Sequence, residues 1–145
     1  MDLVERVAHA WGWTGIEPEE IVGENEFGNL MVRDRRGRYW RICPEDLYCK
    51  VVAKDRDELV AISKDQEFLR DWFMKELVAV AEERVGPLDP GFKYCLKIPG
   101  GLGGKYGGDN LSKITLHGLL EASGHIARQI DGLPDGAKVA LRIIE

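Results

Sequence analysis

The hydrophobic residues of this chain follow two different periods, and the order of those periods limits the folds open to it. Apolar side chains recur at helical spacing in three segments, 2–11, 63–85 and 118–130. Short strand-like runs, alternating or β-branched, occupy 21–22, 30–33, 39–42, 48–53, 92–98, 113–116 and 139–143. Early hairpins followed by mixed elements predict an α+β fold, a curved and mostly antiparallel sheet with helices packed on one face. A length of 145 residues suits a single domain, 1–145.

Turn and cap residues place the boundaries of these elements. The segment 34–38, Asp-Arg-Arg-Gly-Arg, is typical of a hairpin turn. The second helix is predicted to begin at Ser63, which forms a capping-box pattern with Gln66, and to end before Gly86. Its buried face is predicted to be one continuous stripe: Leu69, Trp72, Phe73, Leu77, Val80 and Ala81. Because Trp11 and Trp72 lie on apolar stripes, both are expected in the core.

The charge of the chain narrows the class of its partners. The formal net charge is −5. Nucleic acids and anionic membranes are bound by basic surfaces, so neither is predicted as a partner, whereas a basic protein fits. Charged residues at Asp2, Glu5 and Arg6 interrupt the region where a signal peptide would be apolar. No apolar run approaches the ~20 residues that cross a bilayer, so a cytoplasmic location is predicted.

No pattern of catalytic or metal-binding residues stands out. The histidines, His9, His117 and His125, form neither an HxH nor an HExxH pattern. The three cysteines contain no CxxC pair, which predicts reduced thiols in strands and neither a disulfide framework nor a zinc site. They are Cys43, Cys49 and Cys95. No cofactor and no metal are therefore predicted. A small hydrolase with a carboxylate pair hidden among the acidic residues stays an open alternative.

A glycine-rich loop at Gly100–Gly108 allows two interpretations. Its backbone amides, with Lys105, could form an anion-binding nest, and the chain would then be a ligand- or nucleotide-binding regulatory domain. However, the loop matches neither GxxxxGK[ST] nor GxGxxG followed by a distant acid. The prediction is therefore a structural turn that depends on its glycines. Its key residues are expected to be Gly101, Gly103, Gly104 and Tyr106, with the tyrosine packed at the edge of the core.

Acidic residues concentrate near the start of the chain. A run without any basic residue consists of Glu17, Glu19, Glu20, Glu24 and Glu26. A second acidic spot is Glu45 with Asp46. We predict that these residues form a docking surface for a cationic partner, because complementary charge speeds encounter. Trp13, in a loop between glycines, is the candidate apolar anchor. The alternative is a solvated face, or pairing with the basic hairpin Arg33–Arg41.

Several segments together resemble one bacterial family. They are Tyr94–Leu111, with its Leu-Gly-Gly-Lys-Tyr and Asn-Leu, Ser123–Ile130, Leu133–Gly136, Phe27-Gly-Asn-Leu30, Gly37–Trp40 and the helix Phe68–Phe73. These segments resemble the C-terminal domain of type VI secretion immunity proteins that protect against DNase effectors. The strand-then-helix layout is also similar to other toxin-immunity families with the yeast cell-wall-regulator (Smi/Knr-like) fold.

The resemblance implies a function without implying catalytic residues. A member of this family is expected to be a non-catalytic cytoplasmic protein that binds a co-encoded toxin and neutralises it, by covering the toxin's active site. Toxins that act on nucleic acids or nucleotides are basic around their active sites. The acidic balance of this chain would then complement its partner.

Overall fold

The computed structural model describes residues 1–133. Its helices are α1 Leu3–Trp11, α2 Arg56–Ile62, α3 Gln66–Phe73, α4 Lys75–Val85 and α5 Leu116–Ile130. Its strands are β1 Pro18–Glu24, β2 Leu30–Asp34, β3 Tyr39–Cys43, β4 Tyr48–Ala53, β5 Phe92–Leu96 and β6 Leu111–Thr115. The α+β class is thereby confirmed. The turn predicted at 134–136 and the strand predicted at 139–143 lie outside the described residues.

Short polar side chains start four of the helices. At the start of α1, the carboxylate of Asp2 accepts a hydrogen bond of 2.8 Å from the backbone amide of Glu5, and Asp55 caps α2 in the same way. Asp65 caps α3, and Thr115 caps α5, which begins at Leu116, two residues before the predicted start. Each cap satisfies amides that the first helical turn leaves without partners. The predicted start at Ser63 is wrong, because Ser63 ends α2 and the stronger acceptor at Asp65 starts the next helix.

The long helix predicted from 63 to 85 is broken at Met74. This residue adopts a left-handed conformation, with φ 47° and ψ 41°, and separates α3 from α4. The break changes the direction of the buried face, so the predicted continuous stripe is wrong in part. Trp72 and Ala81 are buried as predicted, but Phe73 is 51% exposed and Val80 is 40% exposed.

The first four strands form an antiparallel meander in the order β1-β2-β3-β4. Side chains of successive strand residues point to opposite faces, and both faces are covered. On one face, Leu30 and Val32 pack against α1 and α5, which agrees with the predicted packing of helices on a face of the sheet. On the other face, Met31 packs with Trp72 of α3 and is flanked by residues of α2. Because helices cover both faces, β2 and β3 are buried along most of their length.

The remaining two strands form a separate antiparallel hairpin. β5 pairs with β6 so that Cys95 faces Ser112 and Leu96 faces Leu111. α4 covers this hairpin through Ala81, which packs with Tyr94 and Phe27. β6 covers 111–115 rather than the predicted 113–116, and it ends at Thr115 because α5 starts at residue 116.

The three cysteines are free and lie in strands, Cys43 in β3, Cys49 in β4 and Cys95 in β5.

Within residues 1–133, none of the helices combines the length and the apolar character needed to cross a membrane.

Candidate functional site

Three glutamates of the predicted docking run form ion pairs with basic residues of the same chain. Glu20 of β1 faces Arg33 of β2, and their charged groups lie 2.7 Å apart. Glu19 lies 3.9 Å from the same guanidinium. Glu24 accepts a hydrogen bond from the ammonium of Lys93 at 2.9 Å. The alternative that the run pairs with the basic hairpin therefore applies to Glu19 and Glu20, and a lysine of β5 neutralises Glu24.

The other two glutamates of the run, Glu17 and Glu26, are exposed and form no ion pair with residues 1–133.

Trp13 is half-buried rather than free in solvent. Its ring stacks on Trp11 with centroids 5.9 Å apart, and its indole nitrogen donates to the carbonyl of Ala10 at 3.1 Å. Trp13 thus packs at the edge of the main core, and only part of its side chain is exposed.

The second acidic spot divides into a buried and an exposed carboxylate. Glu45 is only 5% exposed, and its oxygens accept hydrogen bonds from the Asn29 side chain at 3.0 and 2.8 Å. Burial raises the pKa of Glu45, although hydrogen bonds from Cys43 and Asn29 oppose this effect. Asp46 is exposed and accepts a hydrogen bond from the Tyr106 hydroxyl. Of this pair, Asp46 is the residue that a partner can reach.

A buried polar network, which no sequence pattern predicts, links the sheet to α3. Asn25 accepts the backbone amide of Asn29 at 2.9 Å and donates to the carbonyl of Trp72 at 2.7 Å. The side-chain oxygen of Asn29 accepts from Arg41 at 2.9 Å, and Arg41 also donates to Asp71 of α3. The only sequence signal was the Phe-Gly-Asn-Leu segment, which contains Asn29.

Backbone amides in the first half of the glycine-rich loop already have hydrogen-bond acceptors within the protein. The amides of residues 101–104 each donate to a carbonyl oxygen of the protein, at 2.9–3.3 Å. An anion-binding nest requires amides that are free to point at the ligand. This half of the loop therefore has no free amides for phosphate, which weakens the nucleotide-binding alternative.

The side chain of Asn110 forms hydrogen bonds with the backbone of the loop and of the residue Ile98 that precedes it. Its side-chain oxygen accepts from the amide of Ile98 at 2.8 Å. Its side-chain nitrogen donates to the carbonyls of Ile98 and Lys105 at 2.9 and 2.7 Å. In the sequence Asn110 stands out only as part of the family motif, whereas in the fold its side chain closes the loop.

Tyr106 does not pack into the edge of the core, contrary to the prediction. Its side chain is 51% exposed. Its ring lies over Gly100, where a Cβ would overlap it, and its hydroxyl reaches Asp46. The polar hydroxyl gains a carboxylate partner at the surface that an apolar core could not provide.

A wide groove runs between Tyr106 and the α3–α4 pair. Its volume is about 1040 Å³, and it is lined by residues 66–67, 69–71, 73–77 and 80 together with Glu45, Asp46 and Tyr106. Exposed carboxylates and exposed apolar side chains both face it. A smaller cavity of about 380 Å³ lies between the β5–β6 hairpin and α5.

The described thiols are poor candidates for catalysis or metal binding. Burial raises the pKa of Cys43 and Cys95, and it raises the pKa of Cys49 to about 11. A thiol reacts and binds metals as the thiolate, which these groups do not form near neutral pH. Within residues 1–133, one group could hold a metal: the ligand atoms of Cys43, Glu45 and Asp46 lie within 4.8 Å of one another. Cys43 keeps its thiol proton, Glu45 is hydrogen-bonded to Asn29, and Asp46 is hydrogen-bonded to Tyr106. These interactions disfavour metal binding by this group.

Comparison with known proteins identifies the family. A search of curated protein sequences finds no match for this chain. The family model described as "T6SS immunity protein Tdi1, C-terminal" matches residues 53–127, from the end of β4 into α5. The match covers more than half of the chain and includes α3, α4 and the glycine-rich loop. It agrees with the resemblance seen in the sequence, and the chain therefore belongs to the type VI secretion immunity family of Tdi1.

Proposed function

We propose that this protein binds a co-encoded type VI secretion effector in the cytoplasm and neutralises it without catalysing a reaction. The family match over residues 53–127 carries the proposal. The chemistry of the described residues is in accord with it, because the buried thiols are protonated and Glu45 is committed to Asn29. The inhibitor acts by covering the active site of its toxin.

Charge supports the choice of partner. With a net charge of −5, the chain repels nucleic acids and attracts cationic surfaces. An effector that acts on a nucleic acid or a nucleotide carries cations around its active site to bind phosphate. An acidic inhibitor that covers those cations would block substrate entry.

Protection of cells is the direct test. The product of the effector gene adjacent to this gene is expressed from an inducible promoter, with and without this chain. We expect growth only when the chain is present, and a stable complex on size-exclusion chromatography. An unrelated effector serves as the specificity control and should still kill. Cell death despite comparable amounts of the folded chain would refute the proposed function.

The glutamate run is expected to set the rate of association. Glu17 and Glu26 form no ion pair with residues 1–133, so their charges contribute most to the field around the run. Reversing both to lysine should slow association with the effector by about three- to tenfold at low salt, and flatten its salt dependence. Stopped-flow or surface-based kinetics over a salt series would measure this.

The matched control reverses Asp89 and Asp131, which are also exposed but lie outside the run. It changes the net charge by the same amount, so any effect of overall charge cancels. Equal association rates for the two variants would exclude the run as a steering surface. Trp13→Ala, measured alongside, should affect dissociation more than association if its exposed side contacts the partner.

A further inference from the structure

The groove between Tyr106 and the α3–α4 pair combines apolar and acidic features at one place. Three of the large hydrophobic side chains that remain exposed line it: Phe73 at 51%, Val80 at 40% and Tyr106 at 51%. Exposed aromatic residues that cluster in a concave surface are typical of protein-binding sites. Phe73 is the last residue of α3 and lies directly before the break at Met74.

The rim of the groove is negatively charged. Exposed carboxylates on its lining are Asp46, Glu67, Asp71 and Glu76. The exposed cations on the lining are Arg70 and Lys75. The guanidinium of Arg41 forms an ion pair with Asp71 and offsets its charge, so the exposed carboxylates exceed the cations by one. A cationic partner is therefore attracted to the groove, and an anionic one is repelled.

We propose that this groove docks a cationic segment of the effector that carries an apolar anchor residue. The proposal rests on the proposed function and names the surface that performs it. Phe73 and Tyr106 hold the anchor, while Glu67 and Glu76 bind basic side chains on either side of it. Most of the groove, from residue 66 to 80 together with Tyr106, lies inside the family match at 53–127, whereas the glutamate run lies outside it.

The apolar anchor site of the groove and the glutamate run act on different steps of binding. Exposed charges act over roughly 10 Å in physiological salt and so change the rate of encounter. Apolar anchors act only after contact, when water has left the groove, and so change the rate of dissociation. The two surfaces are therefore separable by kinetics.

The test uses two groove variants of the full chain and the product of the adjacent effector gene. This effector is co-purified with the chain, separated from it in denaturant and refolded. Phe73→Ser removes the anchor site, and the double variant Glu67→Gln with Glu76→Gln removes two rim charges. Phe73→Ser should dissociate from the effector at least about tenfold faster, with an association rate within about threefold of the unaltered chain. The double glutamine variant should associate about three- to tenfold more slowly at low salt.

Matched controls separate the groove from general surface effects. Val60→Ser removes a side chain of similar exposure, 43%, on α2. The double variant Asp89→Asn with Asp131→Asn removes two exposed charges elsewhere. Melting temperatures of all variants should stay within a few degrees of the unaltered chain, which verifies that they fold.

The possible results lead to different conclusions. If the unaltered chain binds the effector, Phe73→Ser dissociates at its rate and the double glutamine variant associates at its rate, the groove is not the docking surface and the proposed function stands. If the unaltered chain forms no complex, the proposed function and this inference both fail. If the unaltered chain is a dimer that Phe73→Ser converts to a monomer, the occupant is a second copy of the chain, and the inference is overturned.

Discussion

Replacing Trp72 by alanine is expected to lower the free energy of unfolding by about 3–5 kcal/mol. The indole is only 8% exposed and packs with Met31, Tyr39 and Ala53 on one face of the sheet. It stacks on Phe68 with ring centroids 6.3 Å apart. The guanidinium of Arg41 lies over the same ring, 5.2 Å from its centroid. Truncation therefore leaves both a cavity and a buried cation that has lost its aromatic contact.

Urea unfolding monitored by circular dichroism would measure the loss. Phe73 provides the control, because it is the next residue in α3 and is 51% exposed. Phe73→Ala should change stability by only about 0.5 kcal/mol. A loss below about 1 kcal/mol for Trp72→Ala would contradict its burial.

Replacing Gly104 by valine is expected to destabilise the fold by about 2–3 kcal/mol. A Cβ at this position would overlap the carbonyl oxygen of Ile98, and backbone atoms cannot move aside as a side chain can. Gly103 has φ +89°, so a β-branched residue is strained there as well. Gly101 is close to the backbone of Asp46, since its Cβ would lie 3.0 Å from that carbonyl oxygen.

Thermal unfolding of Gly104→Val would show the loss as a lower melting temperature. Gly12→Ala is the control, because φ at Gly12 is −58° and nothing lies within 4 Å of its Cβ position. That substitution should be neutral or raise stability by about 0.4–1 kcal/mol. If Gly104→Val melts normally but no longer binds the effector, the loop is part of the interface and its structural role is wrong.

Local sequence patterns were sufficient to predict those segments whose structure depends mainly on residues adjacent in sequence. The hairpin 30–43 was predictable, because Asp34 and Gly37 form its turn. Burial alone would raise the pKa of Asp34, but hydrogen bonds from Trp40, Arg38 and Arg36 together hold it below its ordinary value. The break at Met74 was not predictable from propensity, since methionine favours helices and neither glycine nor proline marks the site.

The candidate site depended more on contacts between distant segments. Glu45 is as acidic in sequence as Asp46, but it is buried and accepts hydrogen bonds from Asn29, which lies 16 residues earlier. The pairing of Glu24 with Lys93 spans 69 residues. The groove exists only because Tyr106 lies opposite α3, and no periodicity of either segment indicates the other.

The bonds from Arg41 and Asn25 to α3 fix the position of that helix along the sheet. An apolar contact alone tolerates a slide by one helical turn, about 5.4 Å, because similar side chains then replace one another. Such a slide here would separate the buried guanidinium of Arg41 from Asp71 and break the hydrogen bond from Asn25 to the carbonyl of Trp72. α3 is thus held in one register before any partner arrives. A surface that is already in its binding geometry loses little conformational entropy on association, so more of its contact energy is retained as affinity.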